Sequence, residues 1–244
     1  MTDGFFEIWV FLAESPLLWL TLTCTVYASA VWVYRQCGST PFLLPILTSV
    51  LVIVSLLLLT GTPYPVYFEG AKFIHFLIGP ATVALAVPLY SQLRQLRKIW
   101  KPVCIALLIG SVTAIASTVL IAWALGASTE TIMSLAPRSA TMPIAMALAD
   151  HFGGQPSLAA VAVAMTGIAG TIMAPPLLRW LRIDSPQARG FSVGVTAHAI
   201  GTARALQLHE TIGAFSALGM SLNGILTAIL MPLLPWVLHG LGMM

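Results

Sequence analysis

An all-α integral membrane protein is the fold class this sequence predicts, and three observations predict it. The 244 residues are 58% hydrophobic and 8% charged, where a soluble domain carries about 25% charged residues. Mean hydropathy is +0.94. Several apolar runs reach the ~17–25 residues that carry a helix across ~30 Å of hydrocarbon, and no alternating ten-residue segments suggest an outer-membrane barrel.

Apolar runs at 16–34, 42–60, 73–90, 102–125, 128–149, 157–174, 191–206 and 211–238 predict about eight transmembrane or re-entrant elements. Asp3, Glu7 and Glu14 precede the first basic residue, Arg35. The start therefore lacks the basic region of a cleavable signal peptide, and the first span is expected to be retained. Trp19, Trp32, Tyr34, Tyr90 and Trp100 lie near span ends and fit an aromatic belt. Pro80 and Pro88 interrupt the third run, Pro137 and Pro143 the fifth, and Gly190, Gly194 and Gly201 the seventh. Such breaks free backbone groups that lipid cannot satisfy, so they belong where protein or a cavity takes over. In the last run, Asn223 reads as a hydrogen bond across the bundle.

Sliding the chain on itself by about 115 residues aligns Cys37-Gly-Ser-Thr-Pro41 with Phe152-Gly-Gly-Gln-Pro156 and Ile78-Gly-Pro-Ala-Thr82 with Ile200-Gly-Thr-Ala-Arg204. The expectation is two pseudo-symmetric repeats, 1–125 and 126–244, forming one membrane domain with broken helices at the midplane. Gly/Pro-interrupted spans in matching positions of two halves point to a transporter binding site.

Arg94, Arg97, Lys98 and Lys101 between the third and fourth runs, with Arg35 in a loop of the same parity, are expected on the cytoplasmic side. Simple counting puts Arg179, Arg182 and Arg189 outside, against the same rule. The conflict vanishes if 128–149 is a re-entrant hairpin or makes one extra crossing, and either change inverts the halves relative to each other. The net charge of +3 is small and bears on orientation, with no nucleic-acid partner expected. Cys24, Cys37 and Cys104 form an odd set without Cys-x-x-Cys spacing, so neither a structural disulfide nor a metal site is expected.

Two polar islands carry the chemistry. In Leu135-Ala-Pro-Arg138-Ser139-Ala-Thr141-Met-Pro143, prolines end and restart helices around an arginine and two hydroxyls. The restart offers N–H groups and a dipole favourable to an anion, and a guanidinium fork suits a carboxylate. The bland alternative is a loop whose arginine anchors at the headgroups. In Gly194-Val-Thr-Ala-His198-Ala-Ile-Gly201-Thr202-Ala-Arg204, an arginine lies at bilayer depth, where it costs ~2.5–3.5 kcal/mol on insertion scales and normally faces protein or water. Gly190, Gly194, His198 and Thr202 recur every four residues, so the alternative here is a tight packing face. His198 and Arg204 address one ligand if the backbone breaks near Gly201, where a break is cheapest. No His-Glu-x-x-His, Gly-x-Ser-x-Gly or Walker loop is present, and no enzyme is expected.

At these islands the chain resembles the LrgB/CidB family of bacterial membrane proteins, whose plastid relatives exchange glycolate and glycerate. The resemblance is carried by Leu135 to Ala145, Gly153-Gly-Gln-Pro-Ser157, Ala188-Arg-Gly190, Gly194 to Arg204 and Gly79-Pro-Ala-Thr-Val-Ala-Leu-Ala-Val-Pro-Leu-Tyr90, nearly the whole chain. Arg138 stands where the family usually has lysine, Met142 replaces a usual threonine, and Val195-Thr196-Ala197 replaces Thr-Ala-Ser. The family has two readings. One is a multi-pass carrier of the bacterial cytoplasmic membrane for small carboxylates such as glycolate, glycerate or pyruvate, working by alternating access. The other is a holin/antiholin-like regulator of murein hydrolases and lysis. On the carrier reading, Arg138 and Arg204 hold the anion, with Ser139, Thr141 and Thr202 as hydroxyl donors. His198 binds a substrate oxygen or carries a coupling proton, and Gly79, Pro80, Thr82 and Gly201 form the broken spans. No cofactor is implied; coupling to protons or Na+, a small LrgA/CidA-type membrane partner and a homodimer are left open.

Overall fold

The computed structural model describes residues 15–38, 40, 43–77, 80, 83–84, 90 and 93–240, and among them every regular element is helical. Four helical stretches are long and apolar enough to cross a membrane: Pro16–Gln36, Arg97–Ala124, Pro156–Trp180 and Glu210–Gly240. Contacts divide the chain into two compact units, 1–84 and 85–244. This is a division by packing, a different property from the duplication expected between 1–125 and 126–244.

In the first unit, α1 (Pro16–Gln36), α2 (Pro45–Thr60) and α3 (Tyr64–Phe76) follow one another, with α1 packed on both others. Pro16 and Pro45 stand at the first helical positions, where the missing N–H costs nothing. Gly61, at φ 63°, ends α2 in the left-handed conformation that glycine adopts without strain. Trp19 is fully buried, edge-on to Tyr67 at 5.8 Å, and a Cβ on Gly70 would overlap the Pro16 carbonyl. Trp19 is thus a packing residue and not part of an interfacial belt: the missing side chain at Gly70 lets α3 close over the indole.

The second unit begins with α4 (Leu93–Ala124), which departs from helical geometry at Ile99, three residues before Pro102. That proline removes one helical hydrogen bond and crowds the preceding turn. The apolar run 128–149 then splits. Ser128 caps α5 (Thr129–Leu135), Pro137 stops it, and α6 (Met142–His151) restarts after Thr141 with a proline in its first turn. The two short helices fold back on each other. The Gln155 side chain donates to Glu130 Oε1 at 2.9 Å, and the Gln155 N–H donates to Ser134 Oγ at 2.7 Å. This first hairpin has its base at 130 and 155 and its tip at Pro137 to Ala140.

Next, α7 (Pro156–Trp180) leads to α8 (Pro186–Leu208), which has a reversal inside it. His198 lies at φ 39° and ψ −129°. A Cβ on Gly201 would fall 2.7 Å from Val193 Cγ1, although eight residues of straight helix rise ~12 Å. Arg189 and Leu208 line one pocket, although nineteen residues would separate them by ~28 Å. So α8 is a second hairpin, with arms 186–197 and 199–208 and His198 at its tip. The break was expected near Gly201, the locally cheapest position. It falls three residues earlier because Gly201 is needed for close approach to the facing arm.

The chain continues through α9 (Glu210–Leu230), a single 3-10 turn at Met231–Leu233, and α10 (Leu234–Gly240). Gly190 and Gly194 of the first arm press on α9, where Cβ atoms would overlap the Ile212 and Ser216 carbonyls. The tight packing face is therefore real, and beyond the break Thr202 still meets α9 through Ser216. Against α7 the hairpins come from opposite ends. The first has its base beside Gln155, the second has its base beside Leu178, and both tips reach residues 163–167. The core divides accordingly. Ile115, Val119, Ile132, Met133, Met231 and Leu238 pack around the first hairpin, and Val103, Phe191, Val195, Phe215 and Leu218 around the second. Because Ile99 and Val103 pack against Phe191 and Val195, the basic start of α4 and the basic 179–189 connection lie at the same end of this unit.

Candidate functional site

Each hairpin leaves backbone groups at its tip that a continuous helix would satisfy internally. Asn223, fully buried on α9, answers for both. Its Nδ2 donates to the Ser139 carbonyl at 2.8 Å and to the Val195 carbonyl at 3.3 Å, while its Oδ1 accepts from Ser111 Oγ of α4 at 2.6 Å. One amide thus joins the two tips to two of the longer helices. Asn223 makes the bundle hydrogen bond that the sequence predicts; its position between two breaks is not visible in its own neighbourhood of sequence.

Arg138 stands at the tip of the first hairpin, half-buried. Its Nε donates to Thr118 Oγ1 at 2.6 Å, and an Nη donates to Thr166 Oγ1 at 3.3 Å. These two bonds tie the guanidinium to α4 and α7. Ser139 beside it is 3% exposed, and its hydroxyl has no hydrogen-bond partner among the described residues; the same holds for Thr227 Oγ1, one turn beyond Asn223 on α9. Thr141 occupies the N-cap position of α6 without a side-chain capping bond. The first tip therefore gathers a guanidinium, a buried unengaged hydroxyl and a helix N-terminus, the groups that stabilise an anion.

His198 at the second tip is 2% exposed, and its Nε2–H donates to the Val163 carbonyl at 3.0 Å. The ring also packs on Gly167, where a Cβ would lie 2.6 Å from Cε1. Thr202 Oγ1 and Ser216 Oγ share a hydrogen bond of 2.8 Å. Thr202 and Gly201 are buried, Thr202 facing α9 and Gly201 the first arm.

Arg204 lies farther along the second arm. It lines a pocket of about 130 Å³ that also includes Arg189, Gly201, Thr171 and Pro175 and does not include Arg138. The two arginines paired by sequence are thus on different hairpins, and Arg189 lines the pocket with Arg204 instead. From sequence Arg189 is an orientation signal in a basic loop; only the fold-back of α8 brings it to the same pocket as residue 204. Gly79 and Thr82 lie outside the described residues, and Pro80 belongs to the first unit. Among the described residues no cluster of His, Cys, Asp or Glu is arranged to hold a metal ion.

Long apolar helices, with two broken hairpins meeting beside a buried amide, define a helical membrane protein with polar groups held inside its fold. More specifically, the chain matches the LrgB-like family over residues 23–237 and belongs to it. Among its relatives is the uncharacterized protein YxaC of Bacillus subtilis, 36% identical over 220 residues, covering 90% of this chain and 95% of that protein. Holin-like protein CidB of Staphylococcus aureus is 32% identical over 218 residues, covering 89% and 95%. Antiholin-like protein LrgB of Bacillus mycoides is 25% identical over 219 residues, covering 90% and 95%. No solved structure matches the chain.

Proposed function

We propose that this chain is a multi-pass carrier of the bacterial cytoplasmic membrane that moves small carboxylates by alternating access. The observation that carries the reading is the meeting of two helical hairpins, entering from opposite ends of α7, at a cluster of Arg138, Ser139, Asn223 and His198. Irregular backbone at membrane depth is tolerated where protein or a cavity satisfies it, and half-helix N-termini at the midplane are how carriers hold anions. A lytic pore requires neither. In this reading the unengaged Ser139 hydroxyl and the Arg138 fork take the carboxylate, with Thr141 and the N-terminus of α6 as further donors. The basic end, with Lys98, Lys101, Arg182 and Arg189, faces the cytoplasm. The two inverted halves, proton or Na+ coupling through His198, an LrgA/CidA-type partner and a homodimer belong to the same proposal.

Uptake of labelled glycolate, glycerate and pyruvate into proteoliposomes is the test. Saturable uptake is expected, reduced at least tenfold by Arg138→Ala, the loss of one charge-assisted hydrogen-bonding group. Wild-type uptake by Arg138→Ala would remove the tip from the mechanism.

A second reading is holin/antiholin-like control of murein hydrolases and lysis. The names of the CidB and LrgB relatives favour it directly, and favour it over transport. It predicts non-selective leakage of unrelated solutes from the same proteoliposomes, or a lysis phenotype that survives when carboxylate uptake is abolished.

A further inference from the structure

We propose a separate anion site between the arms of the second hairpin, completed by Arg189 and selective for short carboxylates with an apolar body. The fold-back at His198 brings Arg189 from the first arm and Arg204 from the second to one pocket of about 130 Å³. Its other walls include Pro175 and Leu178 of α7, Leu208, and Ile212 of α9, and among the described residues lining it none is Asp or Glu. Guanidinium forks recognise carboxylates through paired N–H groups. Apart from Thr171, whose hydroxyl already donates to the Gly167 carbonyl at 2.6 Å, the remaining walls are aliphatic and set the rest of the ligand. Each buried methylene is worth about fourfold in affinity, whereas a hydroxyl placed against such walls loses its water without gaining a partner. The two guanidiniums belong to opposite arms, so an anion between them also holds the arms together. The site lies at the basic end, away from the Arg138 tip. It deepens the carrier reading, and rests on it, by naming the kind of carboxylate accepted from that side.

The test is calorimetric titration of the full chain in phosphatidylcholine nanodiscs with acetate, propionate, butyrate and glycerate. Affinity is expected to rise about fourfold per methylene from acetate to butyrate, with glycerate weaker than butyrate. Arg189→Gln is expected to weaken butyrate binding about tenfold, with Arg189→Lys intermediate and Arg35→Gln, an exposed arginine outside both hairpins, unchanged. Thermal melting of each variant separates loss of binding from loss of fold. Equal affinity along the series, or wild-type binding by a folded Arg189→Gln, overturns the proposal. So does loss of butyrate binding when phosphatidylglycerol is included, which would assign the pocket to a lipid headgroup. Butyrate binding without any uptake would sink the carrier reading and leave the pocket, whereas uptake without chain-length dependence of binding would do the reverse.

Discussion

At φ 39° and ψ −129°, His198 holds a backbone conformation that L side chains rarely adopt. Such strain costs of order 1–3 kcal/mol and persists only where the surroundings fix it. Here they are the bond from Nε2 to Val163 and the closure of Gly167 on the ring. A reversal of the usual helix preference follows. Within a helix glycine is less stable than alanine by roughly 0.5–1 kcal/mol, but at this position His198→Gly is expected to melt higher than His198→Ala, because glycine takes the left-handed region without strain. Thermal melting in detergent decides it, and an alanine variant more stable than the glycine one would mean that residue 198 is helical. Asn223 makes the complementary case. Asn223→Leu leaves two tip carbonyls and the Ser111 hydroxyl without their amide, and a buried group deprived of its partner costs about 1–3 kcal/mol. Destabilisation of at least that size is expected in a denaturant titration, and a neutral result would show that the tips do not depend on this residue.

Elements succeed or fail here through close approach. The first arm of α8 can lie on α9 because residues 190 and 194 lack side chains, their Cβ positions being taken by the Ile212 and Ser216 carbonyls. Backbone atoms cannot rotate away as a flexible side chain can. Gly194→Ala is therefore expected to cost about 1–3 kcal/mol, the range for overpacking, and Gly190→Ala about as much, while Gly240→Ala, with nothing near its Cβ, leaves stability unchanged. Comparing the three melting temperatures tests whether α8 packs through its glycines; a tolerated Gly194→Ala would separate the arm from α9. The stripe of Gly190, Gly194, His198 and Thr202 was legible as a small-residue face. Its division was not, because four-residue spacing assumes the very continuity that residue 198 breaks.

At the scale of the whole molecule, the two basic segments of the second unit share one end. With 129–151 and 186–208 each returning to the end from which it came, α4 and α7 suffice to bring residues 94–101 and 179–189 to one end. Cysteines placed at Lys98 and Arg182 in a chain cleared of Cys24, Cys37 and Cys104, all exposed thiols, are expected to react with an impermeant maleimide from the cytoplasmic side alone. Labelling of position 182 from outside would reject the opposed hairpins as a membrane topology. The resemblance to LrgB/CidB proteins, drawn from motifs spread along the chain, was fully legible and is borne out by the family match. The partners of those motifs were not: Arg138 meets Thr118 and Thr166, and Arg204 shares its pocket with Arg189, pairings set by contacts between remote segments.

The sequence by itself determined that the chain is helical and membrane-embedded, because composition and run length decide whether backbone and side chains can leave water. It also determined that 137–143 and 190–204 interrupt that pattern, because proline, glycine and arginine each carry a local cost in lipid. Tertiary structure alone decided where the second break falls and which groups meet there. A chain break is stable where its freed carbonyls and strained dihedrals find partners, and those partners, Val163 and Asn223, stand 35 and 28 residues away from the positions they hold.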